Sequence, residues 1–221
     1  MSSKRKPLQL AVLASGRGSN LQAILEAIRE GKLSARVAVV ISDNPEALAL
    51  ERARQQGLPA LLVKPQAYSS KAAYEQKLVE ICKSYQVELV VLAGYMRLLS
   101  STFLKHFLNR VVNIHPALLP AFIGLNAQHQ ALEYGVRFSG CTVHFVDNGM
   151  DTGPILLQAV VPVCPHDTED TLAARILVQE HRIYPLALEL IAQGQVHLEG
   201  RRVWIEDWEK GSVNLWPGIV P

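Results

Sequence analysis

Apolar residues arrive along this chain in two alternating rhythms. Short, nearly unbroken runs cover Leu8 to Ala14, Val37 to Ile41, Leu61 to Val63, Leu89 to Ala93 and Val111 to Ile114. They have the length and branched make-up of strands buried on both faces. Between them the spacing changes to i, i+3, i+4, i+7. Leu21, Ile24, Leu25 and Ile28 form one such stripe, closed by Gly31; Tyr74, Leu78, Ile81, Cys82 and Tyr85 form another, capped by Ser69 or Ser70. Asn44-Pro45 predicts a helix with Pro45 in its first turn and Gly57 beyond its end. Ser100 or Ser101 caps a short helix ahead of Val111. Strand and helix in strict alternation predict a parallel, doubly wound sheet.

The rhythm changes in the second half. Asn126 to Tyr134 reads as a helix ended by Gly135. Ser139 to Val146 alternates, with Cys141, Val143 and Phe145 on one face and Thr142, His144 and Val146 on the other. The turn-rich Asp147 to Pro154 leads directly to a strand over Ile155 to Val163. With no helical crossover between them, these two strands predict an antiparallel hairpin that extends the sheet. Thr168 caps a long helix with Leu172, Ile176, Leu177 and Ile183 inward, a kink or new segment at Pro185, and an end at Gly194. A terminal hairpin pairs Val196 to Leu198 with Arg202 to Ile205. The expected fold is therefore α/β: a Rossmann-like, mostly parallel sheet with helices on both faces, extended by antiparallel strands in the C-terminal half. It forms one domain over residues 8–205, between a flexible tail over 1–7 and a C-terminal tail over 206–221.

Composition narrows the function classes. Of 221 residues, 49% are apolar and 19% charged, ordinary for a soluble globular protein. A net charge of +2 is too mild to suggest nucleic acid. No apolar run is long enough for a membrane span. Cys82, Cys141 and Cys164 are odd in number, scattered and without C-x-x-C, which reads as reduced core cysteines and a cytoplasmic setting. Monomer and homodimer are both open.

Chemistry gathers at strand ends. Ser15-Gly16-Arg17-Gly18-Ser19-Asn20 joins the first strand to its helix, so its amides and the helix N-terminus favour an anion. A P-loop would need Gly-Lys-Ser/Thr. A dinucleotide fingerprint would need a third glycine where Leu21 stands, so a nicotinamide cofactor is not expected. A single phosphate fits better, with Ser19 and Asn20 as caps and ligands. Asn113-Ile114-His115-Pro116 puts an amide and an imidazole on one face of a strand end, a pair suited to an oxyanion and a proton. Asp151 can join them if it approaches His115, where its charge would raise the imidazole pKa. No His, Cys or Glu spacing suggests a metal site, and His106, His144, His166 and His181 read as surface or core residues.

Six segments together resemble the phosphoribosylglycinamide formyltransferases, folate-dependent enzymes of purine biosynthesis. They are Ser15 to Ile24, Glu51 to Arg54, Leu92 to Arg97, Asn113 to Pro120, Gly140 to Asp147 and Asp151 to Pro154. The resemblance runs from about Leu8 to about Glu189. The Asn-x-His-Pro-x-Leu-Leu-Pro element is shared with other formyl transferases and with formyltetrahydrofolate hydrolases; the Gly-Ser-Asn-Leu-Gln loop is similar to the ribonucleotide-phosphate site. The resemblance implies transfer of a formyl group from 10-formyltetrahydrofolate, as co-substrate, to the amine of N1-(5-phosphoribosyl)glycinamide. It implies Asn113, His115 and Asp151 as the catalytic trio, and Gly18, Ser19 and Asn20 on the phosphate. Glu180 would meet the substrate amine, and Lys71, Met96, Arg97, Leu98, Leu99 and Asn113 would bind folate. Lys71 stands where relatives often carry Arg, keeping the charge and losing the fork. Ala117 and Ile123 also depart from the family pattern. The added domains that methionyl-tRNA formyltransferases and the hydrolases would carry are not legible.

Overall fold

The computed structural model of the chain describes residues 6–206. The expected tails fall outside it over residues 1–5 and 207–221. The first strand, β1 (Leu8–Leu13), is followed by α1 (Ser19–Arg29), β2 (Ala35–Ser42), α2 (Leu48–Gln55) and β3 (Ala60–Leu62). A 3-10 turn over Pro65–Ala67 precedes α3 (Lys71–Ser84), β4 (Leu89–Leu92), α4 (Ser101–Leu104) and β5 (Val111–His115). The second half contributes α5 (Ala127–Tyr134), β6 (Phe138–Phe145), β7 (Ile155–Pro162), α6 (Glu169–Ala192) and the hairpin β8 (Val196–Glu199) with β9 (Arg202–Ile205).

Seven strands form one sheet in the order β3-β2-β1-β4-β5-β6-β7. Pairs from β3 to β5 are parallel, while β5–β6 and β6–β7 are antiparallel. The strand order reverses between β1 and β4, the switch point beyond which ligands collect in such sheets. Alternation along β1 explains the two cores. Leu10 and Val12 pack with α1, α2, α5 and α6, while Ala11 and Leu13 pack with α3 and α4 on the opposite face.

The helix-end chemistry is mostly as the residues dictate. Thr168 caps α6 with a reciprocal capping box to Thr171. Ser70, not Ser69, caps α3, accepting the Ala73 N–H. Three expectations change. The α2 helix begins at Leu48 rather than at Asn44-Pro45, because the Asn44 side chain is spent on a turn: its Oδ1 accepts Glu46 N–H and its carbonyl accepts Ala47 N–H. Pro45 therefore sits in that turn. Of the kink or new segment expected at Pro185, the new segment does not form: Pro185 lies inside one helix, α6, held by a buried face of Ile176, Ile183, Ala187 and Leu188. That burial outweighs the roughly 3 kcal/mol cost of an internal proline. Finally, Cys82 and Cys141 are core residues but Cys164 is exposed. Among the described residues, no helix is long and apolar enough to cross a membrane.

Candidate active site

Pairing of β5 with β6 builds the centre. Asn113 lies directly opposite His144, and His115 opposite Thr142. Alternation then puts all four side chains on one face at the end of β5. Thr142 anchors the chain beyond His115: its hydroxyl donates to Ala117 O at 2.7 Å and accepts from Leu119 N and from Gln158 Nε2, each at 3.0 Å. The buried Tyr184 hydroxyl on α6 donates to the carbonyls of Leu92, the last residue of β4, and of Val112, near the start of β5.

Asp151 reaches this centre from the turn after β6. It adopts a left-handed φ of 53°. Next to it, Gly153 passes so near β6 that a Cβ would lie 1.8 Å from Phe145 O, which only glycine allows. The Asp151 carboxylate stands 3.4 Å from His115 Nδ1 and 3.6 Å from His144 Nε2, and accepts the Gly124 N–H at 2.9 Å. The other nitrogen of His115, Nε2, donates to Phe122 O at 2.8 Å. The approach expected from the sequence is thus present and acts upward on the imidazole as expected, but the overall shift is downward. Burial holds the His115 pKa below its ordinary value, outweighing the Phe122 carbonyl and the Asp151 charge that pull it up. For Asp151 burial acts upward, but the His144 ring, the Gly124 N–H and His115 outweigh it, so the carboxyl stays below its usual range.

The glycine loop crosses the end of β1. Gly18, at φ 70°, is the residue before α1, and Ser19 is already helical; neither Ser19 nor Asn20 caps the helix with its side chain. Gly18 is pressed against α2, where a Cβ would meet Ala49 Cα at 2.8 Å. Asn20 turns inward instead, and its Nδ2 donates to Glu180 Oε2 at 2.8 Å across the top of α6. That corrects the expectation of Asn20 as a cap, and it joins the loop to Glu180. Burial raises the Glu180 pKa, against the Asn20 hydrogen bond.

On the other side of the switch point, Ser15 locks three loops together. Its N–H donates to Gly94 O, its hydroxyl donates to Asp43 and accepts Met96 N–H, and its carbonyl accepts from Asn44. Beyond it, Met96 and Leu98 expose apolar side chains, Leu99 is buried, and Arg97 lies 3.7 Å from Asp43 and over the Tyr74 ring. Lys71 opens α3 with its ammonium 3.8 Å from Glu75, which in turn accepts from Ser100 N and its hydroxyl. The structure therefore gathers Asn113, His115 and Asp151 into one contact set. The loop with Gly18, Ser19 and Asn20 follows β1 and contacts Glu180 through Asn20, while Met96, Arg97, Leu98 and Leu99 follow the neighbouring β4 and are tied to the glycine loop through Ser15. His144, a surface or core residue by its sequence, stands inside the set, 3.2 Å from Asn113. Its signal is the even spacing with Thr142, which becomes legible only once β6 is paired with β5. Among the described residues, no group of three or more His, Cys, Asp or Glu is placed to hold a metal ion.

An anion-favouring loop, an oxyanion-type pair and an apolar rim share one edge of the sheet, an arrangement suited to a group-transfer enzyme. The family described as formyl transferase matches residues 8–188, and the chain belongs to it. Within that family it is similar to phosphoribosylglycinamide formyltransferase of Escherichia coli (strain K12), 43% identical over 90% of this chain and 94% of that protein. It is also 47% identical, over 88% of its length, to the trifunctional purine biosynthetic protein adenosine-3 of Drosophila melanogaster, of which it spans only 14%. The crystal structure of glycinamide ribonucleotide transformylase 1 from Symbiobacterium toebii superposes with a TM-score of 0.89 at 56% identity, covering 90% of this chain and 94% of that one.

Proposed function

We propose that the chain transfers the formyl group of 10-formyltetrahydrofolate to the free amine of N1-(5-phosphoribosyl)glycinamide, a step of de novo purine biosynthesis. The observation that carries this reading is the contact of His115 with Asp151, and of both Asp151 and Asn113 with His144, at the sheet edge that also carries the glycine loop after β1 and the exposed apolar loop after β4. Gly18, Ser19 and the N-terminus of α1 would hold the phosphate through backbone N–H groups. Glu180, poised by Asn20, would take the substrate amine. The Met96 to Leu99 segment would hold the flat pterin through backbone groups and apolar side chains, with Lys71 toward its acidic tail.

The amine nitrogen attacks the formyl carbon, a C–N bond forms, and the carbonyl electrons move to oxygen. Asn113 donates to that oxyanion, and the His115 Nε2–H exchanges the Phe122 carbonyl for it. The oxyanion adds a second negative charge beside the ring, which with Asp151 offsets the burial that lowers its pKa in the free protein. Collapse breaks the bond to N10 of the folate, while the proton lost by the attacking amine reaches N10, with Asp151 relaying it through water. Both substrates are small molecules, and these steps call for neither a metal nor a nicotinamide. The compartment expected for such a biosynthetic step is the cytoplasm.

The test is to mix protein, 10-formyltetrahydrofolate and glycinamide ribonucleotide and follow the folate absorbance. Deformylation that depends on the amine is expected. Loss of the formyl group without the amine, as in a hydrolase, or no change at all would overturn the reading.

A further inference from the structure

The histidine at 144 is buried beside Asn113 and Asp151 and belongs to neither hydrophobic core. Its ring is 2% exposed and sits in two polar contacts: Nδ1 is 2.9 Å from Phe145 O, and Nε2 is 3.2 Å from Asn113 Nδ2. A carbonyl oxygen can only accept, so Nδ1 carries the proton. An amide nitrogen can only donate, so Nε2 accepts from Asn113 Nδ2. Asp151 Oδ1 lies farther off, at 3.6 Å, and the same carboxylate faces His115 and the Gly124 N–H.

We infer that His144 is a positioning residue, held as the Nδ1–H tautomer so that it fixes the Asn113 amide nitrogen-first and leaves the second N–H for the oxyanion. This rests on the formyl-transfer reading above. An amide free to flip would offer its oxygen to the formyl oxygen in one of two orientations, repelling the charge it should stabilise. The ring itself is held where it must be. His144 pairs directly across from Asn113, and Thr142 two residues earlier is tied to Ala117, Leu119 and Gln158. On the other edge the β6–β7 register shifts between Val143 and His144, a bulge that sets the aim of the side chain.

The test is a double-mutant cycle with a conservative rescue. His144→Leu removes the acceptor, while His144→Gln can place Oε1 where Nε2 stands. We expect His144→Leu to lower kcat about 10²-fold, the scale of a lost oxyanion donor, with KM for both substrates within about twofold. His144→Gln should recover most of that loss, and His144→Leu should cost under about threefold when Asn113 is already replaced by Ala. Near-normal kcat in His144→Leu, equal losses in the two His144 variants, or additivity with Asn113→Ala would each overturn the inference. A ¹⁵N spectrum of the histidine rings in the wild-type protein tests the tautomer without turnover, and a protonated Nε2 on His144 would overturn it as well. If the wild-type protein transfers no formyl group, the functional reading has failed, and the spectrum alone then decides whether the Nδ1–H tautomer stands.

Discussion

Replacing Asn20 by Ala tests a buried polar link between the anion loop and α6. Asn20 Nδ2 donates to Glu180 Oε2 at 2.8 Å, with both residues 8% exposed. A hydrogen bond to a charged group contributes about 1.5–3 kcal/mol, and its loss strands a carboxylate away from water. The Glu180 pKa is already raised by burial, and Asn20 is the group that pulls it down. Asn20→Ala therefore raises it further. The sign follows from linkage. A carboxyl with a raised folded pKa is neutral in both states at low pH. As pH climbs through the unfolded value near 4.3, the unfolded chain ionises first and folded stability falls until the folded pKa is passed. The variant extends that fall. Urea unfolding should show a loss of about 2 kcal/mol at pH 8 and less than half of that near pH 4.5. In a Glu180→Gln background the penalty at pH 8 should shrink to about 1 kcal/mol or less. Equal penalties at the two pH values, or an undiminished one in the Glu180→Gln background, would refute the reasoning.

Other outcomes follow from the same geometry. Asp151→Asn removes the charge that raises the His115 pKa, so an NMR titration should find that imidazole lower still; an unchanged titration would contradict the coupling. Gly18→Ala forces a Cβ to within 2.8 Å of Ala49 Cα at a left-handed φ. Thermal unfolding should show a loss of at least about 1–2 kcal/mol, and the KM for the phosphorylated substrate should rise. Asp167 is held well below the carboxylate range by the Arg175 fork and the Cys164 N–H. Its contribution is present above about pH 3.9 and is lost as pH falls toward the depressed folded value. Asp167→Asn should flatten the acid limb of stability against pH, which denaturation at pH 3 and pH 6 would show.

Much of this architecture is local chemistry and hence legible in the residues. Unbroken runs such as Leu89 to Ala93 can only be strands covered on both faces, and their alternation with helical stripes dictates a parallel sheet whose loops share one edge. That is why the residues alone assign Gly18, Met96 and Asn113 to one groove. What escaped was settled by partners far along the chain. Asn20 follows a glycine loop and reads as a cap, yet a carboxylate 160 positions away claims its amide. His144 alternates with core residues, and nothing near it in sequence says that β6 pairs with β5 in the register that sets it against Asn113. Pro185 would break an isolated helix, but packing of α6 across the sheet holds it in place. The direction of the His115 shift is a balance of burial against two partners, and spacing carries no information about burial.

The account depends most on Asn113 as the donor to the developing oxyanion. Its most direct test is single-turnover formyl transfer by Asn113→Ala, with the melting curve checked alongside. The account predicts a folded protein whose transfer rate falls by at least about 10²–10³. Transfer at a near-normal rate by that variant would contradict it.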